Sequence, residues 1–160
     1  MRIRILSCGG TIDKVYFDAN SEFQVGAPQI EAIFNDARVA FDYEIKQLLR
    51  KDSLEMIDDD RQQVRQHVEE AEEKYILITH GTDSMTKTAA ALENIPGKVI
   101  VLTGSMTPAQ FRVSDAEFNI GCAVGALQSQ SPGVYIAMNG RVFRAGSVAK
   151  NSEKMVFEEM

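Results

Sequence analysis

Small stapled or metal-bound domains depend on cysteine and histidine, and this chain has little of either: its 160 residues include two cysteines and two histidines, with no tryptophan. Cys8 and Cys122 lie far apart and match no CxxC spacing, so neither a metal clip nor a dithiol redox motif is encoded; both read as small buried hydrophobes. Long hydrophobic runs are missing too. The apolar run near the start, Ile3 to Cys8, passes straight into Gly9-Gly10 and is too short for a signal core or a membrane span, so a cytoplasmic protein with no membrane partner is expected. Positive charge is in deficit, 17 Lys and Arg against 23 Asp and Glu for a net −6. Glu69, Glu70, Glu72 and Glu73 crowd one stretch while the basic residues are scattered, which argues against a nucleic-acid partner. No tandem repeat or low-complexity tract is present. Hydrophobic residues at 44% and charged residues at 25% are ordinary globular values. A chain of this size buries roughly 70% of its unfolded surface as one domain and leaves no room for a second.

Apolar runs of strand length occur at Ile3 to Cys8, Tyr75 to Thr79, Lys98 to Leu102 and Gly133 to Met138. They are nearly continuous rather than alternating, as in strands buried on both faces of a parallel sheet. Between them, Ser84 to Asn94 and Asp115 to Gln128 read as helices, the second with an apolar face of Phe118, Cys122, Val124 and Leu127. Asp58 to Glu73 is a further helix, its N-terminus favoured by Asp58, Asp59 and Asp60. Phe41 to Leu49 reads as a strand, Pro28 to Asn35 as a short helix opened by proline, and Asn139-Gly140 as a hairpin turn before Val142-Phe143. Asp13 to Val25 reads as a long functional loop. The alternation predicts a single three-layer α/β domain, flavodoxin-like, with a mostly parallel sheet and helices on both faces.

Polar, glycine-containing clusters sit just after the apolar strands: Cys8-Gly9-Gly10-Thr11, Asp52-Ser53, His80-Gly81-Thr82-Asp83 and Thr103-Gly104-Ser105. In an open parallel sheet these loops line one edge, where ligands of doubly wound folds bind. Any one cluster alone is equally well a helix cap or a turn. No GxGxxG is present, and Gly97-Lys98 lacks the rest of a phosphate-binding loop, with Leu92 and Val99 where glycine and a hydroxyl residue belong. Nucleotide binding is therefore second choice. A threonine nucleophile needs a base, and Lys150, after the last strand and hairpin, can fold back over the same edge, although most lysines are simply solvated.

The blocks Ile5-Leu6-Ser7-Cys8-Gly9-Gly10-Thr11-Ile12, Thr79-His80-Gly81-Thr82-Asp83-Ser84-Met85, Thr103-Gly104-Ser105-Met106 and Val148-Ala149-Lys150-Asn151 resemble, in order and approximate spacing, the signatures of the bacterial-type L-asparaginases. The resemblance spans essentially the whole chain, 1–160 as one domain, and covers only the amino-terminal domain of that family; the usual second domain is absent. It implies hydrolysis of the side-chain amide of asparagine or a related small amide, with no metal or organic cofactor. Thr11 would be the nucleophile, giving an acyl-enzyme and ammonia. Thr82, Lys150 and Asp83 would supply the second hydroxyl, the base and an orienting carboxylate. The backbone N–H groups of Thr11 and Thr82 would form an oxyanion hole. Gly10, Ser53, Gly81 and Ser105 would line the substrate site. Ser53 and Asp83 would hold the substrate's carboxylate and ammonium, and Ser105 would stand near the leaving amide. A homodimer or larger homo-oligomer is expected, because the site would otherwise lie open to water.

Two departures from the family pattern stand out. Phe23 occupies the place where the family's loop offers a tyrosine, leaving Tyr16 as the possible substitute, and the acidic group that a neighbouring second domain supplies is missing. Together they define the alternative, a catalytically inactive domain that binds a small amino acid. His80 is read as a packed strand-end residue without a catalytic role, and Asp115 as a helix cap.

Overall fold

The computed structural model describes all residues except Asn20. Along the chain, β1 (Arg2–Gly9) leads into a 3₁₀ turn (Thr11–Asp13), then β2 (Lys14–Phe17), β3 (Glu22–Val25), α1 (Ile30–Ala37) and β4 (Asp42–Lys51). A second 3₁₀ turn (Ser53–Glu55) precedes α2 (Asp58–Glu70), β5 (Tyr75–Thr79), α3 (Met85–Ala91), β6 (Val99–Thr103) and α4 (Ala116–Ser129). The chain ends with β7 (Gly133–Met138), β8 (Arg141–Arg144), β9 (Val148–Asn151) and β10 (Val156–Glu159).

Six strands form the central sheet in the order β4-β1-β5-β6-β7-β8, the first five parallel and β8 antiparallel to β7. The continuous apolar runs are explained by which face each residue serves. Ile76 and Ile78 of β5, with Ile100 and Leu102 of β6, pack beneath α2 and α3 against Val64, Val68, Met85 and Ala89. Leu77, Val99 and Val101 face the opposite way, onto Ile30 and Phe34 of α1 and Ile120, Ala123 and Leu127 of α4. Each such fully buried side chain is worth about 2–3 kcal/mol in water-exclusion free energy. The result is the three-layer, mostly parallel α/β domain that the sequence predicts.

Several local expectations are corrected. Asp13 to Val25 is not an irregular loop but carries the β2–β3 hairpin, in which Tyr16 stands opposite Phe23. Proline does not open α1: the helix starts at Ile30 behind Gln29, and Pro28 lies outside. α2 stops at Glu70, short of Glu73: Ala71 is already extended (ψ 135°), and Glu73 pairs with Arg4 (3.1 Å). On α4 the buried face is Ala116, Ile120, Ala123 and Leu127, while Phe118 is 66% exposed and Cys122 only partly covered. The Asn139-Gly140 turn forms as expected, with φ of 54° and 76° and Met138 opposite Arg141, the left-handed pair that a two-residue hairpin turn needs.

Candidate active site

The first five strands follow the order in which a chain leaving β1 goes to one side, to β4, and then crosses to the other, to β5. The switch point therefore lies between β1 and β5, where doubly wound folds bind ligands beyond the carboxyl ends of the strands. Glycines let the loops there come together. Gly10 (φ 85°, ψ −175°) lies so close to Gly81 that a Cβ on it would stand 2.3 Å from the Gly81 Cα. A Cβ on Gly81 would meet the Ser53 side chain at 2.6 Å, and one on Gly104 the His80 carbonyl at 2.2 Å. The loops after β4, β1, β5 and β6 are thus fused in a row by backbone contact. Thr11 and Thr82 each follow the glycine at the central contact.

Thr82 is nearly buried and Asp83 is exposed. Lys150, on β9, reaches both: its Nζ donates to Thr82 Oγ1 at 2.8 Å and to Asp83 Oδ1 at 2.6 Å. Its side chain is 12% exposed. Thr11 is half-buried at the head of its 3₁₀ turn. Among the described residues, neither its N–H nor that of Thr82 bonds a carbonyl outside the regular elements.

Of the two predicted substrate-site serines, Ser105 spends its hydroxyl proton within the protein and Ser53 does not. Ser53 is buried, with its Oγ accepting from the Ser84 N–H (3.3 Å) and its carbonyl accepting from Ser84 Oγ (2.6 Å). That pairing locks the loop after β4 to the start of α3 and leaves the Ser53 hydroxyl proton uncommitted. Ser105 is completely buried and donates to the Thr107 carbonyl at 2.5 Å, so it shapes the wall and does not offer that proton to a substrate. Tyr16 is 52% exposed and packs on Phe23 (centroids 5.5 Å apart), which in turn packs on Phe111 (5.3 Å). This ladder fastens the hairpin to the loop after β6.

His80 is fully buried between the Gly81 carbonyl (2.7 Å from Nδ1) and Thr88 Oγ1 (2.8 Å from Nε2). Burial pushes its pKa down to about 4, so it stays neutral and structural. Asp115 stands at the N-cap position of α4, yet its carboxylate accepts from the Met106 and Thr107 N–H groups instead of capping the helix, and Ser114 Oγ takes the Ala116 N–H.

Asp13 escapes sequence reasoning. Two residues after Thr11, it is 1% exposed and accepts from Ser7 Oγ (3.0 Å) and the Gln29 N–H (2.9 Å), while its carbonyl takes the Gly26 N–H. Burial pushes its pKa up to about 6, against those two hydrogen bonds. A charged residue beside the buried Ile12 was the one signal available. Lys14 adds a bridge to Asp52 (2.9 Å), which holds the hairpin to the loop carrying Ser53.

The raised Asp13 pKa makes a testable statement about stability. The native carboxyl binds its proton more tightly than an unfolded one at 3.8, so its contribution falls as pH rises from about 4 to about 6, by about 3 kcal/mol in all. His80 works in the opposite sense over nearly the same range, its contribution being lost as pH falls from 6.5 toward 4. The difference between Asp13→Asn and the parent isolates the carboxyl: in urea unfolding the variant gains on the parent between pH 4 and 7. A constant difference across that range would contradict the assignment.

The sequence profile described as "Asparaginase, N-terminal" matches residues 2–157. The chain belongs to the asparaginase family. The L-asparaginase of Thermococcus kodakarensis is 30% identical over 156 residues, 94% of this chain but 48% of that one. The solved thermostable L-asparaginase of the same organism superposes with a TM-score of 0.90 at 29% identity, covering 100% of this chain and 51% of its own. A probable cytoplasmic L-asparaginase from Campylobacter jejuni superposes with a TM-score of 0.80 at 25% identity, covering 99% of this chain and 51% of its own. The chain spans about half the length of these asparaginases. Its mostly parallel sheet with flanking helices is that of its neighbours over the half of each that it matches.

Proposed function

We propose that this asparaginase-family domain is an amidohydrolase acting on the side-chain carboxamide of asparagine or a related small amide. The observation that carries the proposal is the contact of Lys150 Nζ with both Thr82 and Asp83 beside the Gly10–Gly81 junction. In the proposed reaction Thr11 Oγ attacks the carboxamide carbon, and the carbonyl oxygen becomes an oxyanion held by the N–H groups of Thr11 and Thr82. The C–N bond then breaks, and the proton from the Thr11 hydroxyl leaves with the amine as ammonia. Water attacks the resulting ester; its hydroxyl goes to the acyl carbon and its proton restores Thr11. Lys150 relays protons through Thr82, and Asp83 holds the ammonium of an amino-acid substrate and orients Lys150. The free hydroxyl proton of Ser53 is available to the substrate's carboxylate. A homo-oligomer that covers the exposed Asp83 side, and a cytoplasmic location, belong to the same proposal.

Ammonia release from asparagine, glutamine and simple amides tests it. The parent is expected to turn over at least one of them and Lys150→Ala to lose about 10²–10⁴-fold in kcat, the usual worth of a general base. Equal rates in parent and variant, or no turnover in the parent, would contradict the proposal. A second reading, binding without turnover, draws on Phe23 and on the ring packing that holds Tyr16; calorimetric binding of asparagine by a parent that releases no ammonia would favour it.

A further inference from the structure

Lys150 sits on a two-stranded ribbon, β9–β10, outside the six-stranded sheet, so something must fix the ribbon's position for Nζ to meet Thr82. On its apolar side Val148 and Phe157 sink into the core beneath the sheet. On its polar side a chain of hydrogen bonds starts in α4. Asn119, 1% exposed, donates through Nδ2 to the Gly104 carbonyl (3.0 Å), in the loop after β6. Its Oδ1 accepts from the Asn139 N–H (3.2 Å), in the turn after β7. Asn139 Oδ1 accepts from the Phe157 N–H (2.8 Å), and Phe157 stands directly opposite Lys150 in the ribbon. The Phe157 N–H therefore points away from β9 toward the turn, and without Asn139 it would have no partner there.

We infer that Asn139, seated by Asn119, is a positioning residue for Lys150: it fixes the ribbon so that Nζ lies within hydrogen-bond reach of Thr82 and Asp83. The catalytic consequence rests on the amidohydrolase reading above. Asparagine suits the place on two counts. With φ of 54° it takes the left-handed conformation that the tight turn demands, which glycine would serve as well. Its side-chain oxygen adds the acceptor that glycine lacks. One α4 side chain thus ties the wall after β6 and the ribbon bearing the lysine to the same helix.

That double role allows a clean test. Asn139→Gly keeps the turn and removes the acceptor; Asn139→Asp keeps both. A displacement of about 1 Å at a reacting group costs up to about 10²-fold. The expected result is a fall in kcat of about 10–10²-fold in Asn139→Gly, with KM within about twofold. Asn139→Asp should stay close to the parent, and Asn139→Gly should lower the melting temperature only by the few degrees that one unpaired N–H costs. Parent-like kcat in Asn139→Gly, or equal losses in both variants, would overturn the inference. A readout independent of turnover is the ¹³Cε resonance of Lys150 in lysine-labelled protein, assigned with Lys150→Arg. It is expected to move toward the position of solvated lysines in Asn139→Gly and to stay in place in Asn139→Asp; no movement in either overturns the inference. A parent with no amidase turnover counts against the amidohydrolase reading alone, and the resonance then decides the positioning role.

Discussion

Replacing Thr11 by alanine is expected to lower ammonia release by about 10⁴-fold or more, with the thermal unfolding midpoint nearly unchanged. The side chain is half-buried in a 3₁₀ turn whose geometry is set by Gly10 before it and Asp13 after it, so the hydroxyl is removed without disturbing the frame. The size of the loss separates a nucleophile from an accessory group. A general base or an oxyanion donor typically contributes about 10²–10⁴-fold, and a residual rate of that order survives on the remaining machinery. Thr11→Ser retains the nucleophilic oxygen and should recover part of the activity. Equal losses in Thr11→Ala and Thr11→Ser would assign Thr11 a packing role.

Gly10→Ala is expected to destabilise the domain by about 3–5 kcal/mol and to abolish turnover, combining backbone strain with an unrelievable contact. At φ 85° and ψ −175° the residue occupies backbone space that is essentially glycine's alone. The added methyl would lie 2.3 Å from both Cα and N of Gly81, atoms that no rotamer change can move aside. Gly97→Ala supplies the control: φ is also positive there, at 73°, but a Cβ would have nothing within 4 Å. Its cost should be limited to the backbone, about 1 kcal/mol. Urea unfolding of the two variants therefore separates close approach from conformational strain, and equal destabilisation would contradict the fused-loop description.

The strands were legible because burial on both faces leaves an unbroken run of β-branched and aliphatic residues, as in Tyr75–Thr79 and Gly133–Met138, whose observed bounds match the expected ones. Helix α4 was legible in extent but not in orientation. Half of its buried positions are alanine, which carries little periodic signal, while its largest apolar residue, Phe118, lies outward over the Gly140 turn. The β2–β3 hairpin has no Asn-Gly or Asp-Gly signal at its turn, so its alternation passed for a loop. In the crevice, the order of the motifs located the convergent loops, because glycine followed by a hydroxyl at successive strand ends is a local pattern. Asp13, Asn119 and Asn139 also hold tertiary partners, the Gln29 N–H, the Gly104 carbonyl, the Asn139 N–H and the Phe157 N–H, each 15 or more residues away, and no spacing rule reports that.

The central claim, that Thr11 carries the acyl group, is tested most directly by acid-quenching the protein during turnover of asparagine or another accepted amide and mapping the peptides by mass spectrometry. An acyl adduct is expected on the peptide containing Thr11, localised to that residue and missing from Thr11→Ala. An adduct on Thr82, or quenched turnover at saturating substrate with a fast-deacylating step ruled out by a single-turnover burst and still no adduct on Thr11, would contradict it.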